Sequence, residues 1–573
     1  MTEVNALLAS INAFLWADWV LYILLGTGVL FTIWSGFSQY RALTHGVQVV
    51  RGVYDDPNDP GAINHFQALS AALSATVGLG NIGGVSLAIA LGGPGAVFWM
   101  WIVGLFGMAI KLTEVTLSML YRNTDNPQDP HGGPMWVARN GFAMMSPKLA
   151  PIGKLLGGIF CVTLLISTIT GGNMFQAWNV GDITEEYFGV PSIAVGILGA
   201  RIVGSVIIGG IKRIGAVAGR LVPLMISLYL IAAIYVLVVH IGRVPAMFNM
   251  IFTAAFSAQE ATGAFIGGTI GYAFLFGMKR ALFSNEAGQG SSPIAHSAAK
   301  TDEPAREALV AGMEPFIDTI VVCTLTALVI LVTGVWSRSA EANYTVSPRI
   351  VPVEINEWSI ETEAAPPPAD HVWRDGESVY TIVRAHYNDR TGNNLHRLDG
   401  NVRMIDGEPH IEWFTLRSPQ RPELIDAGVY ATFIGATLTA KAFDSVTPGL
   451  GKWLITLAAW LFAISTMISW SYYGEQGMIY LAGERSVLPY KIAYCALIIV
   501  ATTGFIETNA ELDNLTGIGT GVMLFANVPI MWIFGRQAMR AYHEYIGRLK
   551  AGRMGPDHPR PSLEDLISGR DVE

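Results

Sequence analysis

Apolar residues run along this chain in long blocks, not in the short alternating or 3.6-residue patterns of a soluble core. Nine blocks approach or exceed the ~20 residues that cross a bilayer: 18–38, 94–121, 155–178, 192–210, 221–241, 308–335, 451–481, 489–506 and 513–535. Two more, 66–92 and 262–283, are apolar but interrupted by glycine. The pattern predicts an all-α integral membrane protein with about 11 transmembrane helices.

One long stretch breaks it. Residues 337–427 are hydrophilic and carry Pro366, Pro367 and Pro368 in a row. Ser378–Ile382 and His410–Leu416 alternate as short strands do. A small β-rich domain and a disordered loop both fit this composition. The predicted division is an extra N-terminal helix with its inner loop (1–65), a first five-helix set (66–241), a second set in two parts (262–336 and 428–535) around the insert (337–427), and a polar tail (536–573).

Basic residues orient these spans, because short loops rich in Lys and Arg stay inside. Arg41 and Arg51, Arg122 to Lys154, Lys212 to Arg220, Lys300 and Arg306, Arg485 and Lys491, and the tail from Arg536 to Arg553 alternate with base-poor loops. The N-terminus is thereby placed outside, the C-terminus in the cytoplasm, and the insert outside. The first apolar run carries Glu3 and Asp18 and no basic flank, so it reads as a retained helix in a cell inner (plasma) membrane.

Composition narrows the function. Hydrophobic residues make up 51% and charged ones 14%, against about 25% charged in soluble proteins. Mean hydropathy is +0.41, which argues against an ordinary soluble enzyme. A net charge of −9 supplies no basic face for nucleic acid. Cys161, Cys323 and Cys495 lie in apolar runs without metal spacing. The chain shows no nucleophile–base motif, metal cluster or phosphate-binding glycine loop of an ATP motor. It therefore reads as no enzyme. A membrane sensor or enzyme using the insert is the less favoured alternative.

The interrupted spans point to transport. Gly78, Gly80, Gly83 and Gly84 fall mid-span in 66–92, and Gly267, Gly268 and Gly271 mid-span in 262–283. Such clusters either let helices pack closely or mark broken helices lining a polar cavity. Leaving the first span aside, each glycine-rich span opens a set of five, and five being odd inverts the second set. Interrupted helices at matching positions of two inverted halves mark a transporter site. Half-helix N-termini there face a carboxylate, and freed carbonyls face an ammonium or a cation.

ALSATVGLGNIGGVSLAIALGGPGAVFWMW (72–101), GGNMFQAWNV (171–180), KRALFSNEAGQGSSP (279–293), FIDTIVVC (316–323) and FAISTMISWSYYGEQ (462–476) resemble the alanine or glycine:cation symporters, the sodium:alanine symporter type. Two features depart from the family: Leu79 stands where threonine is frequent, and the insert is unusually long. The resemblance implies an inverted five-plus-five fold with one extra leading helix. It also implies symport of small neutral amino acids, chiefly alanine and glycine, coupled to sodium or alternatively to protons.

On that footing, amides around Gly78, Leu79, Gly80 and Asn81 are candidates for the carboxylate. Carbonyls near Gly267, Gly268, Thr269 and Ile270 are candidates for the ammonium. Thr76 adds a hydroxyl that either meets substrate or bonds its own helix. Asn173 and Gln176, three apart, share a helix face and either touch substrate or bridge helices. Trp470 is a candidate pocket wall. Sodium, a hard cation, takes oxygen ligands. The resemblance assigns them to the carbonyls of Ser74 and Val77 with the hydroxyls of Ser465 and Thr466. Glu286 and Asp318 are the gating or proton candidates. Lys111 and Glu114 either pair or reach for the interface.

Overall fold

The structure, a computed structural model, describes residues 2–361, 363–368, 372–433, 435–504, 509–554 and 560–569. Seven described helices are long and apolar enough to cross a membrane: Leu7–Trp34, Gly95–Tyr121, Pro147–Phe188, Gly210–Val239, Pro304–Thr333, Leu450–Ala482 and Asn514–Lys550. A bent pair, His65–Thr76 with Gly80–Gly92, supplies an eighth and turns by 53° at its break. Ser192–Ile207, Ile270–Asn285 and Val487–Ala501 are shorter apolar helices. The sequence expected about eleven spans, two of them interrupted; the described helices supply seven full-length ones, one bent pair and these three shorter segments.

The long helices show why they need a bilayer. On Gly210–Val239, Leu228, Ile231, Tyr235 and Val238 are exposed while Val222, Met225, Tyr229, Ala233 and Val236 are buried. Both sets recur at three- and four-residue steps, so one apolar stripe packs on the bundle and the other has only lipid to face. Polar side chains stay within the bundle: Tyr229 Oη meets Thr326 Oγ1 at 2.7 Å.

The first break follows from its residues. Asn64 opens His65–Thr76 with a capping box to Gln67. The helix stops at Val77, whose ψ of 101° is extended, and the chain resumes as a π-helical turn at Gly80–Gly84. The second break is not where the glycines of 262–283 suggested. Residues 257–269 are non-helical, and Gly267, at φ 94°, lies ahead of Ile270–Asn285. The interruption lies at 286–291, where Glu286 (φ 54°), Gly288 (φ 86°) and Gly290 (φ 80°) take left-handed conformations that an α-helix cannot continue through. Ser292–His296 follows.

The insert is β-structured. Ser378–Asn388 and Asn393–Ile405 form its central hairpin, and Glu408–Trp413 pairs with the second strand. Val379, Val383, Leu398, Val402, Ile411 and Val429 form its own apolar core. It is seated on the helical body through carbonyls. Tyr380 Oη donates to Ala264 O at 2.9 Å, Asn393 Nδ2 to Ile266 O at 2.8 Å, and Arg397 Nη2 to Ala90 O at 3.3 Å.

Candidate functional site

The two breaks meet across a cavity of about 60 Å³. Thr76, Gly78, Leu79 and Gly80 line it from the first break, and Phe283, Glu286 and Gln289 from the second. Gly171, Phe175 and Gln176 come from the kinked middle of Pro147–Phe188, Thr466 and Trp470 from Leu450–Ala482, and Thr516 and Thr520 from the last long helix. Five elements thus converge on one small, partly polar space.

Its polar groups are unevenly satisfied. Gly78 N–H donates to Asn81 Oδ1 at 2.8 Å, so this amide is taken. Leu79 caps the π-helical turn Gly80–Gly84, and amides at the start of a helix have no acceptor within that helix. Gln176 Nε2 donates to Gly171 O at 3.1 Å, which fixes the amide and leaves Gln176 Oε1 buried without a partner. Glu286 accepts from Ser291 Oγ. Buried polar atoms are rarely left unpaired, so Gln176 Oε1 and the helix-start amides opposite it describe a site for a small polar solute.

Beside the cavity, five oxygens of Ser74, Ser465 and Thr466 gather where a cation was expected. Ser465 Oγ and Thr466 Oγ1 lie 3.3 and 3.2 Å from Ser74 O. Ser74 Oγ returns a bond to Ser465 O at 2.7 Å. The donor chemistry fits a hard cation: hydroxyls and a carbonyl at the frayed end of one helix against the middle of another. Gly78 adjoins this group, since a Cβ there would stand 3.3 Å from Thr466 Oγ1.

Several expected residues lie elsewhere. Gly267, Gly268, Thr269 and Ile270 are off the cavity and under the insert. A Cβ on Gly267 would be 2.6 Å from Asn393 Nδ2, Gly268 pairs with Gln259, and Thr269 N–H donates to Arg390 O at 3.2 Å. The glycines there serve a close turn against another domain, not an opening toward a ligand. Asn173 is buried, with Nδ2 on Tyr494 O at 2.7 Å, and bridges helices instead of lining the cavity. Thr76 Oγ1 bonds its own helix at Ala72 O, 3.3 Å away.

Asn81 and Asp318 form a knot below the cavity wall. Asn81 Nδ2 donates to Asp318 Oδ1 at 2.6 Å and Ser284 Oγ to Asp318 Oδ2 at 2.8 Å. Thr319 Oγ1 binds the same carboxylate at 2.8 Å and accepts from Asn285 Nδ2 at 3.1 Å. The carboxylate joins the two broken helices to the π-helical turn Phe316–Cys323. Lys111 and Glu114 are fully buried; their ion pair is 3.8 Å, and Lys111 also meets Glu314 at 3.4 Å. They pair and do not reach for the interface.

Sequence reading missed Gln289, Phe283, Phe175, Thr516 and Thr520. The last two are four apart, a one-face hydroxyl pair that was legible. The aromatic residues carried no signal, since aromatic residues recur throughout the apolar runs.

Two interrupted helices closing on a small polar cavity within membrane-length helices define a multi-pass membrane transport protein. The chain belongs to the Sodium:alanine symporter family, which it matches over residues 1–361 and 424–558. The unmatched 62 residues between those two ranges fall in the insert. It is 34% identical to the sodium/alanine symporter AgcS of Methanococcus maripaludis, covering 91% of this chain and 93% of that one. It is 30% identical to the putative sodium/proton-dependent alanine carrier protein YrbD of Bacillus subtilis, covering 95% and 93%. The solved structure of MhsT in complex with L-phenylalanine is similar at 13% identity with a TM-score of 0.48, covering 87% of this chain and 97% of that one.

Proposed function

We propose that the protein imports small neutral amino acids, alanine and glycine foremost, coupled to sodium by alternating access, and acts as a carrier and not as an enzyme. The observation that carries this reading is an unpartnered Gln176 Oε1 facing the helix-start amides of Leu79 and Gly80 across one cavity. The substrate carboxylate takes the Leu79 and Gly80 amides, where the half-helix dipole favours negative charge. Its ammonium takes Gln176 Oε1 and the Glu286 carboxylate. A water needs ~10–15 Å³ of such space, so about 60 Å³ holds roughly four to six water-sized groups, about the heavy-atom count of alanine. Phe283 and Trp470 wall the remainder and exclude larger side chains.

Sodium is held by the carbonyls of Ser74 and Val77 and the hydroxyls of Ser465 and Thr466. The cation neutralises nothing in that group, which carries no formal charge; it takes the place of the Thr466 hydroxyl's hydrogen bond to Ser74 O, while the Ser465 hydroxyl keeps its bond to Phe462 O at 2.8 Å and offers a lone pair. Because Val77 and Gly78 adjoin, a cation there stiffens the break that receives the carboxylate. Sodium and substrate then tighten each other by one common factor.

Proton coupling is the second reading, favoured by the buried carboxylate of Glu286 on the cavity wall. Uptake of labelled alanine into proteoliposomes, with sodium and pH gradients imposed separately, decides. Concentrative uptake driven by sodium at equal pH is expected; full uptake in sodium-free buffer driven by pH alone overturns sodium coupling. The membrane is taken as a cell inner membrane, with the N-terminus and insert outside and the tail in the cytoplasm. Protease protection of tagged termini in sealed vesicles tests that orientation.

A further inference from the structure

A chain of buried ionisable groups lies outside the cavity and takes no part in holding substrate or sodium. His296 closes the short helix after the second break. Its Nδ1 faces Glu307 Oε1 at 2.5 Å and its Nε2 faces Glu314 Oε1 at 2.6 Å. All three side chains have no solvent exposure. Glu307 also bonds His65 Nδ1. Glu314 also accepts from Ser292 Oγ at 2.7 Å and pairs with Lys111, which pairs with Glu114. Glu114 in turn accepts from Asn527 Nδ2 at 2.9 Å on the last long helix. Among the described residues no His, Cys, Asp and Glu group has the geometry of a metal site.

Counting donors settles what the cluster contains. A neutral imidazole has one N–H and one bare nitrogen. If His296 were neutral and both carboxylates ionised, that bare nitrogen would face a charged oxygen with no hydrogen between them. The three side chains are sealed from solvent, and an uncompensated buried charge is severely destabilising. His65 raises no such demand: its Nδ1–H satisfies Glu307, and its Nε2 stands 3.7 Å from Asp55. The triad of Glu307, His296 and Glu314 therefore closes only with one extra proton, shared as an imidazolium or as one protonated carboxyl.

We propose that this triad is a proton-binding site of the transporter, and that its proton must be in place for the second break to close on the cavity. The link is two consecutive serines. Ser292 binds Glu314 in the triad, and Ser291 binds Glu286 on the cavity wall. Losing the proton sets Glu307, Glu314, Glu114 and Glu286 against Lys111 and, beyond Glu307, Arg122, with Tyr473 the neighbouring ionisable group from Leu450–Ala482. The helix Ser292–His296 then parts from Glu307 and Glu314, and the turn 286–291 moves with it. The proton departs to water at that end of the molecule. This inference rests on the proposed amino acid uptake for its functional readout only.

Glu307→Gln tests it. The amide nitrogen donates to His296 Nδ1, the imidazole stays neutral and donates to Glu314, and the amide oxygen still accepts from His65. Every group is satisfied without the extra proton. Sodium-driven alanine uptake is measured at saturating sodium with equal pH on both sides, stepped from about pH 6 to about pH 9. Wild-type uptake is expected to fall on the alkaline side by roughly tenfold per pH unit beyond its midpoint, the slope of one proton. Glu307→Gln is expected to hold its rate within about twofold. Superimposable alkaline limbs overturn the proposal, because a merely structural Glu307 would shift the rate and leave the limb.

Tm in detergent over the same range is the second measurement. A proton bound only in the folded chain adds stability that is lost as pH rises, so wild-type Tm falls and Glu307→Gln stays level. Should the variant not fold, the wild type decides alone: a flat profile overturns the site. Absence of sodium-driven uptake at every pH would defeat the proposed function, and the Tm profiles would still test the triad.

Discussion

At the scale of single residues, the cavity turns on atoms whose partners are missing. Gln176 Oε1 is buried and unpartnered, and a hydrogen bond from an ammonium to it is worth about 1.5–3 kcal/mol. Gln176→Leu keeps the volume and removes the acceptor. The expected result is a rise of ~10- to 100-fold in the alanine concentration for half-maximal uptake, with folding and sodium dependence retained. Ser465 and Thr466 act through hydroxyls on Ser74 O. The double variant Ser465→Ala, Thr466→Val should raise the sodium concentration for half-maximal uptake and leave the ranking of competing amino acids unchanged. A shifted ranking with unchanged sodium dependence would move these hydroxyls from the ion to the substrate.

At the scale of elements, the breaks differ in what their glycines do. A Cβ on Gly80 would meet only Phe283 at 3.6 Å, an ordinary contact, and it would point at the cavity. A Cβ on Gly92 would press on Ala96 and Phe276 at 3.2 Å and on the Ala273 backbone at 3.3 Å. Gly92→Ala is thus the packing variant, costing about 1–3 kcal/mol by overfilling, and is read as a lower Tm with little change in substrate affinity. Gly80→Ala is the ligand variant: Tm near wild type, weaker alanine binding. Equal losses of affinity in both would return the first break to a packing role. The same comparison shows how far glycine clusters are legible. At 78–84 they mark a true interruption. Gly267 and Gly268 mark a turn beneath the insert ahead of Ile270–Asn285, while the second break sits in SNEAGQG, where Asn285 and Gly288 suggest a shaped turn and Glu286 is left-handed.

At the scale of the whole molecule, the insert and the helical body have separate cores, joined by carbonyl contacts, by Tyr380, Ile382 and Tyr430 packed on Ala264, and by the Arg374–Glu186 ion pair at 3.0 Å. None of the cavity's lining residues comes from 337–427. Replacing that segment with a short linker should leave half-saturation by alanine within about threefold and lower Tm. The lost bonds from Tyr380, Asn393 and Arg397 to Ala264, Ile266 and Ala90, each worth about 0.5–1.5 kcal/mol, add to the lost packing of Tyr380, Ile382 and Tyr430 on Ala264. Complete loss of binding by a folded deletion would make the insert part of the site.

Sequence by itself determined that this chain lives in a membrane, that the span 66–92 carries mid-span glycines at 78–84, that residues 337–427 are polar, and that its motifs resemble one symporter family. Each of these is written in local order, in runs of apolar residues, mid-span glycines and contiguous motifs. Tertiary structure alone decided which side chains meet. Gln176 faces Gly80 across the cavity although Asn173, with the same chemistry and one turn away, faces Tyr494. Thr516 and Thr520 arrive from the far end of the chain. His296 finds Glu307 and Glu314, eleven and eighteen residues on, because the chain turns back between helices at 297–303. The reason is physical: burial in a bilayer makes any partnered polar group tolerable and any unpartnered one costly, but which groups become partners depends on where separate helices cross, and that is a property of their packing.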